Sequence, residues 1–188
     1  MGLFSAIKAV FALRRKNLEK QLEEIREREA RYPAMTTDEL AALDDEELFD
    51  AVNIRTENKV ESFEDSADGF NSLNDSQKVF YALNWLEMEV NNGGLCQFFV
   101  NSSRIVAPLV SEYMGIVGAH AHKKMFDDFV KKNNINLNEL SFFDIEKIEE
   151  FEEKAESYPF DDYDEAYYEM EPLQNYLEKY IRKHVADF

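Results

Sequence analysis

Large apolar residues recur at three- and four-residue spacing along most of this chain, and nowhere do they alternate with polar ones between turn signals. The pattern predicts an all-α fold, a compact multi-helix domain led by a long N-terminal helix. That first helix runs from about Leu3 to Arg31, with Ile7, Val10, Phe11, Leu18, Leu22 and Ile25 as apolar positions, and Tyr32-Pro33 stops it. Charged residues crowd its second half, where Glu24 with Arg28 and Glu27 with Arg31 have the spacing of i,i+4 ion pairs. Thr36 and Glu39 are spaced as a capping box for a short helix, and Asp44 caps the next with Glu47 three residues on.

The segment EDSADGFNS, residues 64–72, reads as a turn-rich linker. Ser72 then caps a helix with Asp75 in the box position, and Val79, Phe80, Leu83, Leu86 and Val90 form its buried face. Trp85 sits off that stripe. The helix stops at Asn92-Gly93-Gly94, and about two turns follow from Leu95. Further helical runs cover 107–120 and 121–134. Ser141 with Asp144 opens a helix over 141–160 whose apolar positions include Phe143, Ile145, Ile148 and Phe151. A short acidic helix and a last one starting near Pro172 complete the chain, the latter packing through Leu173, Tyr176, Leu177, Tyr180 and Ile181. Residues 1–34 are expected as an amphipathic, charged helical extension, and 35–188 as an all-helical acidic domain.

Composition changes this picture mainly through charge. A 45% hydrophobic content with 15 Phe and 9 Tyr can bury a core, so the net charge of −18 does not signify disorder. The single cysteine, Cys96, rules out an internal disulfide and fits a reducing, cytoplasmic setting. Residues 1–34 carry a net +3, 35–70 a net −10, 71–138 are balanced, and 139–188 carry −11. Direct binding to nucleic-acid phosphates is disfavoured, and a basic protein is the expected partner. The N-terminal apolar run is too short to span a bilayer, its basic residues follow rather than precede it, and Ala6 breaks the acylation pattern after Gly2. Docking on the protein or a partner, contact with a membrane surface, a mobile arm and homodimerisation all remain open for this helix.

Candidate chemistry is sparse. Asn92, Gly93 and Gly94 offer positive-φ positions for a sharp corner, and the amides of Gln97 and Asn101 are placed to satisfy backbone groups freed there. No Lys-Ser/Thr pair follows the glycines, so this is not a phosphate loop. His120 and His122 stand two apart and point in different directions on a helix, which excludes a shared metal ion and leaves surface or cap roles. The run Asn134, Asn136, Asn138 imitates a calcium loop, but Glu139 stands where glycine is needed and Ile145 where the bidentate glutamate belongs. No catalytic, cofactor-binding or metal-ligating residue is assigned, and no cofactor is expected.

The carboxylates are the remaining candidates. Glu146, Glu149, Glu150, Glu153 and Glu156 recur as one acidic stripe on the helix over 141–160; Asp161, Asp162, Asp164 and Glu165 extend it. Asp44, Asp45, Glu46 and Glu47 form an earlier cluster. A helical turn advances about 5.4 Å, comparable with the roughly 7 Å between phosphates along one DNA strand. Two such acidic helices would offer a basic protein something like a duplex, against the plainer alternative of a solvated acidic surface.

The stretches YALNWLEMEVNNGGLCQFFVNSS, MGIVGAHAHKKMFDDF and DDYDEAYYEMEPLQNYLEKYI together resemble the bacterial domain family that contains the Neisseria DNA-mimic protein. The resemblance covers about residues 70–185 and rests on Glu89, Asn92, Gly93, Gly94, Gln97, Phe98, Phe99 and Asn101, then Val117-Gly118-Ala119, then Asp164, Tyr167 and Tyr168. It implies an all-helical fold and, for the characterised member, an acidic surface that occupies a transcription factor's DNA-binding face. The motif itself reads as corner architecture. The expectation is a non-enzymatic acidic protein that mimics DNA toward a basic nucleic-acid-binding partner; the alternative is a small-ligand binder or enzyme with a pocket near the Asn-Gly-Gly-x-x-Gln corner.

Overall fold

The computed structural model describes the backbone of Leu3–Phe188 and side-chain surroundings from Arg14 onward, Asn17 excepted. The apolar positions expected before Arg14 lie outside the described side chains. Among the described residues ten α-helices follow one another, with short 3-10 turns between some of them: α1 Leu3–Arg31, α2 Thr37–Ala41, α3 Asp45–Glu61, α4 Ser66–Asn71, α5 Asp75–Val100, α6 Ala107–Val117, α7 His120–Lys132, α8 Glu150–Glu156, α9 Phe160–Tyr168 and α10 Leu173–Lys183. No strand occurs among the described residues. The fold is all-α, as the spacing of apolar residues requires.

α5 is the spine. Val79, Phe80, Leu83, Leu86 and Val90 are all buried, and so are Ala82, Asn84, Glu87 and Glu89 on its other sides, because α3, α6, α9 and α10 surround it. One apolar core joins Tyr32 and Leu40 at one end of the chain to Leu177, Ile181 and Phe188 at the other. A layer of aromatic rings underlies α8 and α9: Phe99, Phe143 and Phe160 lie with ring centroids 5.1 Å and 6.2 Å apart, and Phe129 packs on both Phe160 and Tyr163.

The capping signals decide most helix starts. Thr36 and Glu39 form their reciprocal box, and Asp44 accepts from the Glu47 amide at 2.8 Å. Two expectations need correction. The segment 64–72 contains α4, because Asp65 accepts from the amides of Ala67 and Asp68 and so nucleates a helix where glycine and serine suggest a turn. The cap of α5 is Asn74 with Gln77 rather than Ser72 with Asp75; Asn74 and Gln77 also bind the Asp187 carbonyl, which draws the last turn of the chain onto α5.

The largest departure lies at 141–160. Ser141–Phe143 is a 3-10 turn, residues 144–149 are irregular, and α8 has seven residues. Ser141 caps nothing; its amide donates to Glu139. Carboxylates three and four residues apart repel one another along a helix, and the apolar spacing that suggested a buried face is misleading, since Ile148 is 82% exposed. Phe143, drawn into the aromatic layer, fixes the path of the chain instead.

Expected ion pairs within α1 are also replaced. Arg28 reaches Asp50 on α3 at 2.7 Å, and Arg31 reaches Glu47 at 3.3 Å, so the last turns of α1 are tied to α3.

Gly94 and Gly118 both adopt positive φ, +82° and +85°, but a β-carbon at Gly94 would sit 2.0 Å from an Asp164 oxygen whereas none at Gly118 would meet anything within 4 Å. Gly118→Ala should therefore cost about 1 kcal/mol from backbone strain alone. Gly94→Ala should cost roughly 3 kcal/mol. Urea denaturation of the two variants separates the terms; equal losses would show that the close contact carries no weight.

Candidate functional site

Two groups of residues qualify, the corner within α5 and the acidic segment around α8 and α9. At the corner the helix breaks: Gly93 has φ −162° and Gly94 φ +82°, so only Gly94 requires glycine for its backbone conformation. A break exposes the last carbonyls of one half-helix and the first amides of the next. α9 supplies partners for both. Asp164 accepts from the Leu95 amide at 2.9 Å, and Tyr168 Oη donates to the Val90 carbonyl at 2.7 Å. Asp164 thus acts as a cap in trans for the helix that begins at Leu95, where the dipole favours negative charge. A β-carbon at Gly93 would meet Gln97 Oε1 at 2.0 Å, so a side chain there would displace the Gln97 amide.

Glu89 stands at the centre of the polar side of the corner. It is buried, and its carboxylate accepts from Gln97 Nε2 at 2.6 Å, Asn101 Nδ2 at 2.8 Å and Ser103 Oγ at 2.9 Å. The two amides therefore serve Glu89 and not the freed backbone groups, which corrects the sequence expectation. Asn92 is exposed at the outer edge. Five surface cavities are lined by other residues, and Glu89, Asn92, Gly93, Gly94, Gln97 and Asn101 line none of these five. The groups a ligand would use there are already bonded to one another.

The acidic residues divide into three kinds. Asp164 is half-buried against Gly94, and burial pushes its carboxyl up to about 6, opposed by the Leu95 amide and aided by nearby Asp161. Its carboxylate serves the corner through the Leu95 amide. In the early cluster Asp44 is a helix cap, Asp45 is gripped by the Arg182 guanidinium at 2.6 Å and 2.9 Å, and Glu47 pairs with Arg31. Arg182 also donates to the Ala41 and Leu43 carbonyls, so Asp45 helps fasten α10 to the α2–α3 junction. Of that cluster only Glu46 has neither a capping nor an ion-pair role among the described contacts.

The third kind is concentrated between 146 and 169. Glu146, Glu149, Glu152, Glu153, Glu156, Asp161, Asp162, Glu165 and Glu169 are all exposed. Among the described residues every ion pair lies elsewhere. Glu150 is half-buried and accepts from the Glu146 amide at 2.8 Å. Lys154, one of two bases in this stretch, lies over the Phe142 ring at 4.2 Å. Glu146 and Glu149 precede α8, so the acidic stripe is not one continuous helix face; irregular turns, α8 and α9 present it jointly.

Residues 71–184 match the family described as DMP19-like protein. The chain belongs to the DMP19-like family. No curated protein and no solved structure matches it. The matched span contains the whole corner, with Glu89, Gln97, Asn101, Asp164 and Tyr168, and also the acidic segment; α1 to α3 lie before it.

Two buried titratable groups within the family span escaped sequence reasoning. Glu87 is buried beside the first turn of α10; burial pushes its carboxyl up to about 7, the Leu173 and Gln174 amides oppose the rise, and the Glu178 charge adds to it. His122 is 1% exposed, which corrects its assignment to the surface or a cap, and it packs edge-on against Tyr167 and Tyr176. Burial lowers its pKa; the Glu171 main chain and charge oppose that shift from outside normal hydrogen-bond geometry. Their signal in the sequence is slight, because both are polar positions on faces that read as solvent-facing until neighbouring helices are placed. Among the described residues no cluster of three or more His, Cys, Asp or Glu is arranged to hold a metal ion.

Two measurements follow from this geometry. Asp164→Ala leaves the Leu95 amide without its partner and should lower stability by about 1–3 kcal/mol, seen as a reduced urea midpoint. For Glu87 the folded pKa lies above the unfolded one, so the native state holds the extra proton between about pH 4.5 and 7. Its contribution is present at low pH and lost as pH rises through 7. Glu87→Gln should therefore gain stability relative to the parent on going from pH 4.5 to 8, by at most about 3 kcal/mol; parallel stability–pH curves would refute this.

Proposed function

We propose that this protein is a non-enzymatic, cytoplasmic binding protein that mimics DNA and occupies the nucleic-acid-binding face of a basic protein. The observation that carries the proposal is the set of exposed carboxylates from Glu146 to Glu169 with no ion pair among the described residues. Membership in the DMP19-like family, which is linked to DNA mimicry, supports it. In the Asp44–Glu47 cluster, by contrast, Asp44 caps a helix while Asp45 and Glu47 bind arginines. The carboxylates of 146–169 remain available, and a chain of net charge −18 attracts cationic surfaces over a long range.

The contact surface is assigned to α8, α9 and the turns before α8, rather than to the Asp44–Glu47 cluster expected beside it. Ile148, standing almost fully exposed among Glu146 and Glu149, supplies an apolar anchor within the charged field. Carboxylates there take the place of phosphates toward lysine and arginine, and the partner's bases supply the counterions the fold lacks.

The immobilised full chain should capture basic DNA-binding proteins from a host lysate and release them when duplex DNA is added. Capture should fall steeply as salt rises from about 0.1 M to 1 M, where the screening length shrinks from about 10 Å to 3 Å. Reversing charge at Glu149, Glu153, Asp162 and Glu165 to lysine should weaken capture at least about tenfold, a loss of ~1.4 kcal/mol. The same reversal at Glu112 and Asp128, exposed on α6 and α7, should leave it unchanged. Partners retained against both DNA and salt would overturn the proposal.

A further inference from the structure

The long first helix carries an apolar seam that no described part of the chain covers. Leu18, Leu22 and Ile25 are 55%, 44% and 50% exposed, and their spacing of four and then three places them on one side of α1. Every described residue from Arg14 to Arg31 is exposed, and the described contacts that tie the helix to the rest of the molecule come from its final turns, through the Tyr32–Ala34 turn and the Arg28–Asp50 and Arg31–Glu47 pairs. A helix that extends from a domain with apolar residues in water is marginal by itself. In sequence, Phe4, Phe11, Leu18 and Ile25 follow at intervals of seven, the repeat of a two-helix seam.

Charge along the helix selects the occupant. Arg14, Arg15, Lys16 and Lys20 surround one acid, Glu19, at one end of the exposed stretch. Glu23, Glu24, Glu27 and Glu29 outnumber the bases at the other, where Arg26 pairs with Glu23 and Arg28 and Arg31 are already engaged by α3. A second copy laid antiparallel, centred near Leu22, sets the basic end of each helix against the acidic end of its mate and brings Leu18 opposite Ile25. A parallel arrangement would set like charges side by side. An antiparallel mate in this register also keeps the two globular parts at opposite ends, with the Arg31 of one copy about 28 Å from that of the other at the helical rise per residue.

We propose that α1 is a self-association element, which pairs two copies of this chain as an antiparallel helix dimer through Leu18, Leu22 and Ile25. The element lies outside the residues that match the family, so the inference is independent of the DNA-mimic proposal.

Sedimentation of the full chain should give a dimer mass. Changing Leu18, Leu22 and Ile25 together to glutamine should weaken self-association at least about a hundredfold while leaving the unfolding midpoint of the globular part in place, since all three are exposed. Orientation is read by mixing Arg15→Cys chains with Glu29→Cys chains under mild oxidation. Cys96 is buried and its thiol is pushed up to about 12, so it stays inert. Antiparallel pairing yields mainly the mixed disulfide. A monomer at all concentrations, a preponderance of like-with-like disulfides, or a monomer that binds anionic lipid vesicles through the same three residues would each overturn the proposal.

Discussion

The structure depends on the interruption of its central helix. α5 is buried on nearly all sides, and an unbroken helix of that length would carry Leu95, Phe98 and Phe99 past the core they fill. Turning the chain at Gly93-Gly94 brings those rings against Phe143 and Phe160 but frees backbone amides and carbonyls in a dry interior. Asp164 and Tyr168, one helical turn apart on α9, meet one group on each side of the break. Glu89 with Gln97, Asn101 and Ser103 closes the polar face. Glycine at 94 is demanded twice, by its positive φ and by the Asp164 oxygen that occupies the place of a side chain.

That arrangement also separates the corner residues from the exposed carboxylates of 146–169. Residues at the corner bond mainly to one another, whereas the exposed carboxylates of 146–169 form no ion pair among the described residues. α9 serves both ends of this division: its inner face carries Tyr163, Asp164 and Tyr167 into the interior, and its outer face presents Asp161, Asp162 and Glu165.

How much was legible in the sequence follows from where the information resides. Helix starts with a side-chain cap, Thr36 and Asp44, were readable because three or four neighbouring residues determine them. Asp65 was missed since Gly69 and the surrounding serines weigh toward a turn, although Gly69 is buried so tightly that a β-carbon would touch the Val60 carbonyl at 2.5 Å. The corner was recognised from its glycines, but the partner of Gln97 and Asn101 was not, because Glu89 becomes their neighbour only when the chain doubles back. Asp164 was grouped with the surface acids for the same reason: nothing local distinguishes it from Asp161 or Asp162. Arg28, Arg31 and Arg182 choose carboxylate partners 16 to 137 residues away, beyond any periodicity argument.

The aromatic layer beneath α8 and α9 has a consequence for how this molecule responds to its surroundings. Rings of Phe99, Phe129, Phe143, Tyr158 and Phe160 interlock directly below side chains that push one another apart. Cohesion from burial and repulsion at the rim therefore oppose each other across a single thickness of protein. Dilute electrolyte weakens the first very little and leaves the second at full strength, so this half of the fold is held most loosely in fresh water and most firmly in brine, the reverse of a scaffold built on surface ion pairs.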